Sequence, residues 1–105
     1  MTIYSYAVRT YFDPNNAVSN EQTALQNLLD SQESQGHTTP TITPDSFQTD
    51  IDGTPFVERF FSSTEAAKEY RDHCAQNCSN YIRSVIRPSL SFEGAIVHEA
   101  GQPLN

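Results

Sequence analysis

Apolar positions alternate or fill both parities in four stretches of the chain and recur at helical spacing in two others. From Ile3 to Phe12, Tyr, Val, Thr and Phe supply apolar groups on both parities, as in a strand flanked on its two faces. "DPNN" (Asp13 to Asn16) is turn chemistry. Ser19 then fits a helix N-cap with Gln22 completing a capping box. Ala24, Leu25, Leu28 and Leu29 make one stripe at helical spacing, and Gly36 is a natural stop. A first helix is expected over Asn20 to Gln35.

"HTTPTITP" (His37 to Pro44) reads as a loop or irregular edge, because its prolines cannot donate to a ladder. Phe47, Thr49 and Ile51 alternate with polar residues, and Asp52-Gly53 follows at once, the strongest short-range hairpin signal. The partner strand is Thr54 to Phe61, "TPFVERFF". Ser62 and Glu65 predict a second capping box, with a helix over Ser63 to Gln76. "NCSN" turns the chain, and Tyr81 to Arg87, "YIRSVIR", reads as a strand ended by Pro88. "SFEGAIVHEA" predicts a short fifth strand at an edge or on a neighbouring subunit, and "GQPLN" a loose tail.

The predicted order is β-α-β-β-α-β with a strand added at the end. This is the ferredoxin-like, split-βαβ pattern of an α+β domain, an antiparallel sheet with two helices on one face. With 105 residues the chain suits a single domain, its core about residues 3–88 and its C-terminal strand and tail 89–105. The layout resembles the dimeric α+β barrel proteins, which include small monooxygenase-like domains. In those, a strand similar to "FVERFF" runs straight into a capped helix similar to "SSTEAAKEY". The resemblance spans Ile3 to Pro88 and implies a homodimer and a small ligand. It brings no catalytic motif, so no catalytic residue is assigned and the enzyme reading ranks second.

The formal net charge of -7 and pI near 4.6 oppose binding to nucleic acid and to anionic membranes. The βαββαβ order is shared with the RNA-binding RRM. "GTPFVERF" does not fit its stacking motif, since Thr54 and Pro55 replace the aromatic and small residues and Arg59 stands where a ring belongs. No apolar run is long enough to span a bilayer, and "MTIYSYAVRTYF" lacks the start of a signal peptide. Two cysteines are too few for a disulfide scaffold, so a cytoplasmic, reducing location is expected.

"YRDHCAQNCSNY" (Tyr70 to Tyr81) gathers both cysteines and a histidine. Helical spacing places Ala66, Ala67, Tyr70 and Cys74 on one buried side, with Cys78 at the end of the same line. Cys74 is then core, and His73 lies off that side. A disulfide is disfavoured, because β-carbons four residues apart in a helix are about 5–6 Å apart, whereas a bridge needs about 3.5–4.5 Å. No further ligand pair has metal spacing, so neither a metal nor a cofactor is expected. His37 and His98 are expected to be exposed loop or edge residues.

The cations are five Arg against one Lys, which favours fixed, forked contacts. Alternation puts Tyr4, Tyr6, Val8 and Phe12 on one face of the first strand and Ile3, Ala7, Arg9 and Tyr11 on the other. In the third strand Phe56 and Phe60 are assigned to the helix-covered core, opposite Val57, Arg59 and Phe61. In the fourth, Ile82 and Ile86 oppose Tyr81, Arg83, Val85 and Arg87. Arg9, Tyr11, Arg59, Tyr81, Arg83 and Arg87 therefore form the candidate binding face on the open side of the sheet. Homodimerisation through that face is the favoured reading, since it is too apolar to leave in water. A small anionic or aromatic ligand held by the arginines is the alternative. Glu58 conflicts with this assignment, because it falls beside Phe56 and Phe60 in the supposed core. A bulge, a strand end or a reversed face would each resolve the conflict.

Overall fold

The computed structural model describes residues 4–15, 21–38, 47–91 and 93–104. They form an α+β molecule with one five-stranded antiparallel sheet in the order β2-β3-β1-β4-β5. The strands are β1 (Tyr6–Phe12), β2 (Phe47–Thr49), β3 (Pro55–Phe61), β4 (Tyr81–Pro88) and β5 (Ile96–Glu99). The helical segments are α1 (Glu21–Ala24), α2 (Gln26–Ser34) and α3 (Thr64–Asn77). The fifth strand lies on the same chain, paired antiparallel to β4.

The expected first helix is divided at Leu25. The backbone bonds Leu25 N to Glu21 O (3.0 Å) and Leu29 N to Leu25 O (2.9 Å) carry the helical path through the division. Ser19 and Asn20 lie outside the described residues. Only Leu25 and Leu29 of the expected stripe are buried, and Gln32 joins them one turn on. Gly36 does end the helix. Its φ of 76° is the left-handed conformation that lacks a Cβ penalty. His37 N bonds Gln32 O (2.8 Å) and Gly36 N bonds Glu33 O (3.1 Å), the paired bonds of a Schellman motif.

The β2–β3 hairpin forms, but its loop is longer than the two residues Asp52-Gly53. Asp50 N bonds Thr54 O and Gly53 N bonds Asp50 O, with Gly53 at φ 86°. This is a three-residue connection with glycine in the left-handed position. Ile51, expected in the strand, is the fully exposed tip. Of the proline-rich stretch, Thr38 bridges Phe61 and its hydroxyl donates to Phe60 O (2.8 Å), while residues 39–46 lie outside the described residues. The second helix is capped one residue later than expected. Ser63, not Ser62, accepts from Ala66 N (3.2 Å).

Helix α3 lies across β1, β3 and β4, and α2 packs against α3. The core between helices and sheet gathers Val8, Phe12, Leu25, Leu29, Val57, Phe61, Tyr70, Cys74 and Ile86. Phe61 and Tyr70 meet with ring centroids 5.1 Å apart. Gln32 ties the helices together, its amide donating to Ala66 O (3.0 Å) and Glu69 Oε1 (3.2 Å).

Candidate functional site

Register decides which side chains share a face. Across β3-β1-β4-β5, directly opposed residues build three rows on the side away from the helices: Phe60–Ala7–Arg87, Glu58–Arg9–Val85–Val97 and Phe56–Tyr11–Arg83–Glu99. The helix-covered side carries Arg59–Val8–Ile86–Ile96 and Val57–Thr10–Ser84–His98. Arg9, Tyr11, Arg83 and Arg87 are therefore together on the open face, as expected. Arg59 and Tyr81 are not.

For β3 the expected faces are reversed. Phe56, Glu58 and Phe60 point outward; Val57, Arg59 and Phe61 point inward. The physical reason lies in the charges. Glu58 Oε2 accepts from Arg9 Nε (3.1 Å) and Arg87 Nη2 (3.0 Å), so two cations compensate one half-buried carboxylate. On the inside, Arg59 meets Glu21 of α1 in a two-pronged pair, Nε to Oε1 and Nη2 to Oε2, both 2.9 Å. Glu21 is 1% and Arg59 5% exposed. Burial works against the Arg59 charge, but the Glu21 carboxylate and Tyr70 outweigh it and hold the guanidinium above its ordinary pKa.

The open face partly covers its own aromatics. Tyr11 and Phe56 pack at 5.6 Å between centroids. Arg9 lies 4.3 Å over the Phe56 ring and Arg83 4.1 Å over the Tyr11 ring. These stacked guanidiniums gain cation–π attraction while their stems shield the rings. Arg87 is fully engaged, donating also to Pro88 O and Ser89 O. Among the described residues no ion pair involves Arg83, which stands beside exposed Glu99 across the β4–β5 ladder. Phe60 and Val85 remain half-exposed, and Val97 is 54% exposed.

Tyr81 moves inward because the β1–β4 register shifts between Tyr11 and Phe12. Tyr11 opposes Arg83 but Phe12 opposes Tyr81, so Ile82 is the extra residue and parity inverts. Ile82, expected in the core, is half-exposed. The buried Tyr81 hydroxyl lies 2.7 Å from His98 Nδ1, 3.0 Å from Ser84 Oγ and 3.1 Å from His98 O. His98 Nε2 lies 3.1 Å from Gln102 O. A carbonyl only accepts, so in the neutral ring Nε2 carries the proton and Nδ1 is an acceptor; the single Tyr81 proton is shared between Nδ1 and the His98 carbonyl, and Ser84 Oγ donates to the phenol oxygen. Burial pushes the Tyr81 phenol up, with the Ser84 bond opposing. His98, expected to be exposed, is thus an inner residue that fastens β5 and the following turn to the start of β4. Tyr81→Phe would leave His98 Nδ1 and Ser84 short of a partner and is expected to lower unfolding free energy by about 1–3 kcal/mol in urea denaturation.

Cys74 is fully buried in the core stripe, and Cys78 caps the helix end; both are free thiols. His73 and His37 are half-buried. Among the described residues no group of three or more His, Cys, Asp or Glu could hold a metal ion. No helix among them is long and apolar enough to cross a membrane.

Sequence reasoning overlooked the Tyr81–His98–Ser84 cluster and the Glu21–Arg59 pair. The second had a signal. Glu58 is the sole acid in β1, β3 and β4, so the cations of β1 and β4 required it on their face. Comparison with protein-family models, with characterised proteins and with solved structures finds no match for this chain.

Proposed function

We propose that this chain is a self-associating interaction module whose open sheet face docks on a second copy of itself, with no assigned reaction. The observation that carries the reading is the mixture on that face. Arg9, Arg83 and Arg87 share it with Glu58 and Glu99, and with the partly exposed Phe60, Val85 and Val97. A two-fold interface places one patch against itself, so a patch must carry both signs of charge and some apolar surface. Arg83 beside Glu99 supplies a donor and an acceptor that can exchange between copies.

The finer fold reading that accompanies this is ferredoxin-like, with β5 appended outside β4. The antiparallel order β2-β3-β1-β4 that remains without β5, and the packing of α3 on one side, support it. The two free thiols agree with a reducing, cytoplasmic setting. The alternative, a dimeric α+β barrel acting on a small anionic or aromatic ligand, has less support. Glu58 already engages Arg9 and Arg87, and Arg59 is inside.

Light scattering at micromolar concentration tests the proposal. A dimer is expected, and Arg83→Glu is expected to weaken it. A wild-type monomer under these conditions would sink the reading.

A further inference from the structure

We propose that Gln102 is a gate on the outer edge of the sheet: it occupies the backbone groups of β5 that a second copy of β5 would otherwise pair with, and withdrawing it lets two copies join edge to edge. Strand β5 stands last in the order β2-β3-β1-β4-β5 and has a neighbour on one side only. An edge of this kind presents unpaired N–H and C=O groups, which template the addition of another strand. The contact is separate from the open-face docking proposed above and does not depend on it.

Hydrogen-bond alternation determines which groups reach that edge. Ala100 N bonds Ile82 O (2.8 Å), so in the adjacent Arg83–Glu99 pair the backbone groups of Glu99 turn away from β4. Those of Val97, two residues earlier, turn the same way. At Glu99 both groups are already taken. Gln102 N donates to Glu99 O (3.0 Å), closing a four-residue turn, and Glu99 N donates to Gln102 Oε1 (2.9 Å). One residue thus returns a donor and an acceptor to Glu99, as the opposing residue of a neighbouring antiparallel strand does. Buried His98 fixes this stand-in from behind, its Nε2 donating to Gln102 O at 3.1 Å. Gln102 itself is exposed, so hydrogen bonds rather than burial hold it.

The occupant that fits the ungated edge is β5 itself. Val97 and Glu99 flank His98 symmetrically, so a two-fold axis at His98 sets Val97 of each copy opposite Glu99 of the other. Both pairs then exchange their N–H and C=O bonds, and two five-stranded sheets become one continuous sheet. The strand suits the junction. Ile96 and Val97 are β-branched, no proline interrupts Ile96–Glu99, and Val97 is 54% exposed. Glu99 of each copy keeps Arg83 directly opposite it on β4, so the carboxylate brought to the junction already stands beside a cation. With Gln102 in place, the Glu99 half of each pair is engaged and the register cannot form.

The experiment compares wild type, Gln102→Ala and Gln102→Pro by amide hydrogen exchange in NMR and by light scattering across a range of protein concentrations. Alanine removes the Oε1 acceptor; proline removes the N–H donor as well. Both changes fall at an exposed position outside the core, and a thermal melt checks that each variant is folded. In wild type the Glu99 amide is expected to be protected at every concentration. In Gln102→Ala it is expected to exchange several-fold faster at low concentration. Gln102→Pro is expected to reach at least twice the wild-type mass as concentration rises, with the Val97 and Glu99 amides becoming protected together. Mass is read relative to wild type, so a wild-type monomer sinks the open-face docking and leaves the gate untouched, whereas Gln102→Pro at the wild-type mass overturns the gate alone. An unchanged Glu99 amide in Gln102→Ala, or association of Gln102→Pro with the Val97 and Glu99 amides unprotected, would also overturn it.

Discussion

Arg59→Ala is expected to lower the unfolding free energy by about 3–5 kcal/mol, because it leaves the Glu21 carboxylate in the core without its forked partner. Glu21 is almost wholly buried and its two oxygens each accept from Arg59. A domain of this size has about 5–15 kcal/mol in total, so the variant would be marginal at room temperature. Glu21→Leu is expected to cost a similar amount, now from a buried guanidinium. The double variant Glu21→Leu with Arg59→Met removes both charges and replaces them with apolar volume, and is expected to be more stable than either single change. Urea denaturation of wild type, Glu21→Leu, Arg59→Met and the double variant gives the cycle. Single variants within about 1 kcal/mol of wild type would mean the pair is solvated like a surface bridge.

Phe61→Ala and Phe60→Ala, neighbours in sequence, are expected to differ sharply. Phe61 is fully buried against Tyr70, and truncating such a ring costs about 3–5 kcal/mol through lost transfer energy and the cavity left behind. Phe60 is half-exposed on the open face, opposite Ala7. Its truncation removes less buried area, so the monomer is expected to lose under about 1.5 kcal/mol, while association through the face weakens. Chemical denaturation at low protein concentration reads the first effect and light scattering the second. Equal destabilisation by both changes would contradict the strand's orientation.

These two changes test the feature that alternation left undecided. In β3 each parity presents an apolar residue, a charge and an apolar residue: Phe56, Glu58, Phe60 on one and Val57, Arg59, Phe61 on the other. Hydrophobic period has no preference between such trios. The tie is broken by partners distant in the chain, Glu21 inside and Arg9 with Arg87 outside. Tyr81 was hidden for another reason. A single-residue shift in pairing inverts parity beyond it, and nothing local in "YIRSVIR" announces that shift. His98 became an inner residue only because β5 pairs with β4, which the short segment left open. By contrast, the Cys74 stripe, the Gly36 stop and the Asp-Gly hairpin rest on local spacing and turn chemistry, and all were legible. The shift from Ser62 to Ser63 as cap is a choice between adjacent, chemically equal residues, settled by the bond to Ala66 N.

The paired charges on the two sides of β3 also act as a check on assembly errors. Were that strand to slide by one residue, Phe60 and Phe56 would enter the core in place of Phe61 and Val57, an exchange of similar oiliness. The mistake would be nearly silent in hydrophobic terms. It would also strand Glu58 among the helices, away from both arginines, and turn Arg59 outward beside two other cations, leaving Glu21 alone inside. One slip thus breaks three ion contacts at once. The strand whose apolar pattern is most ambiguous is the strand whose charges tolerate only one placement.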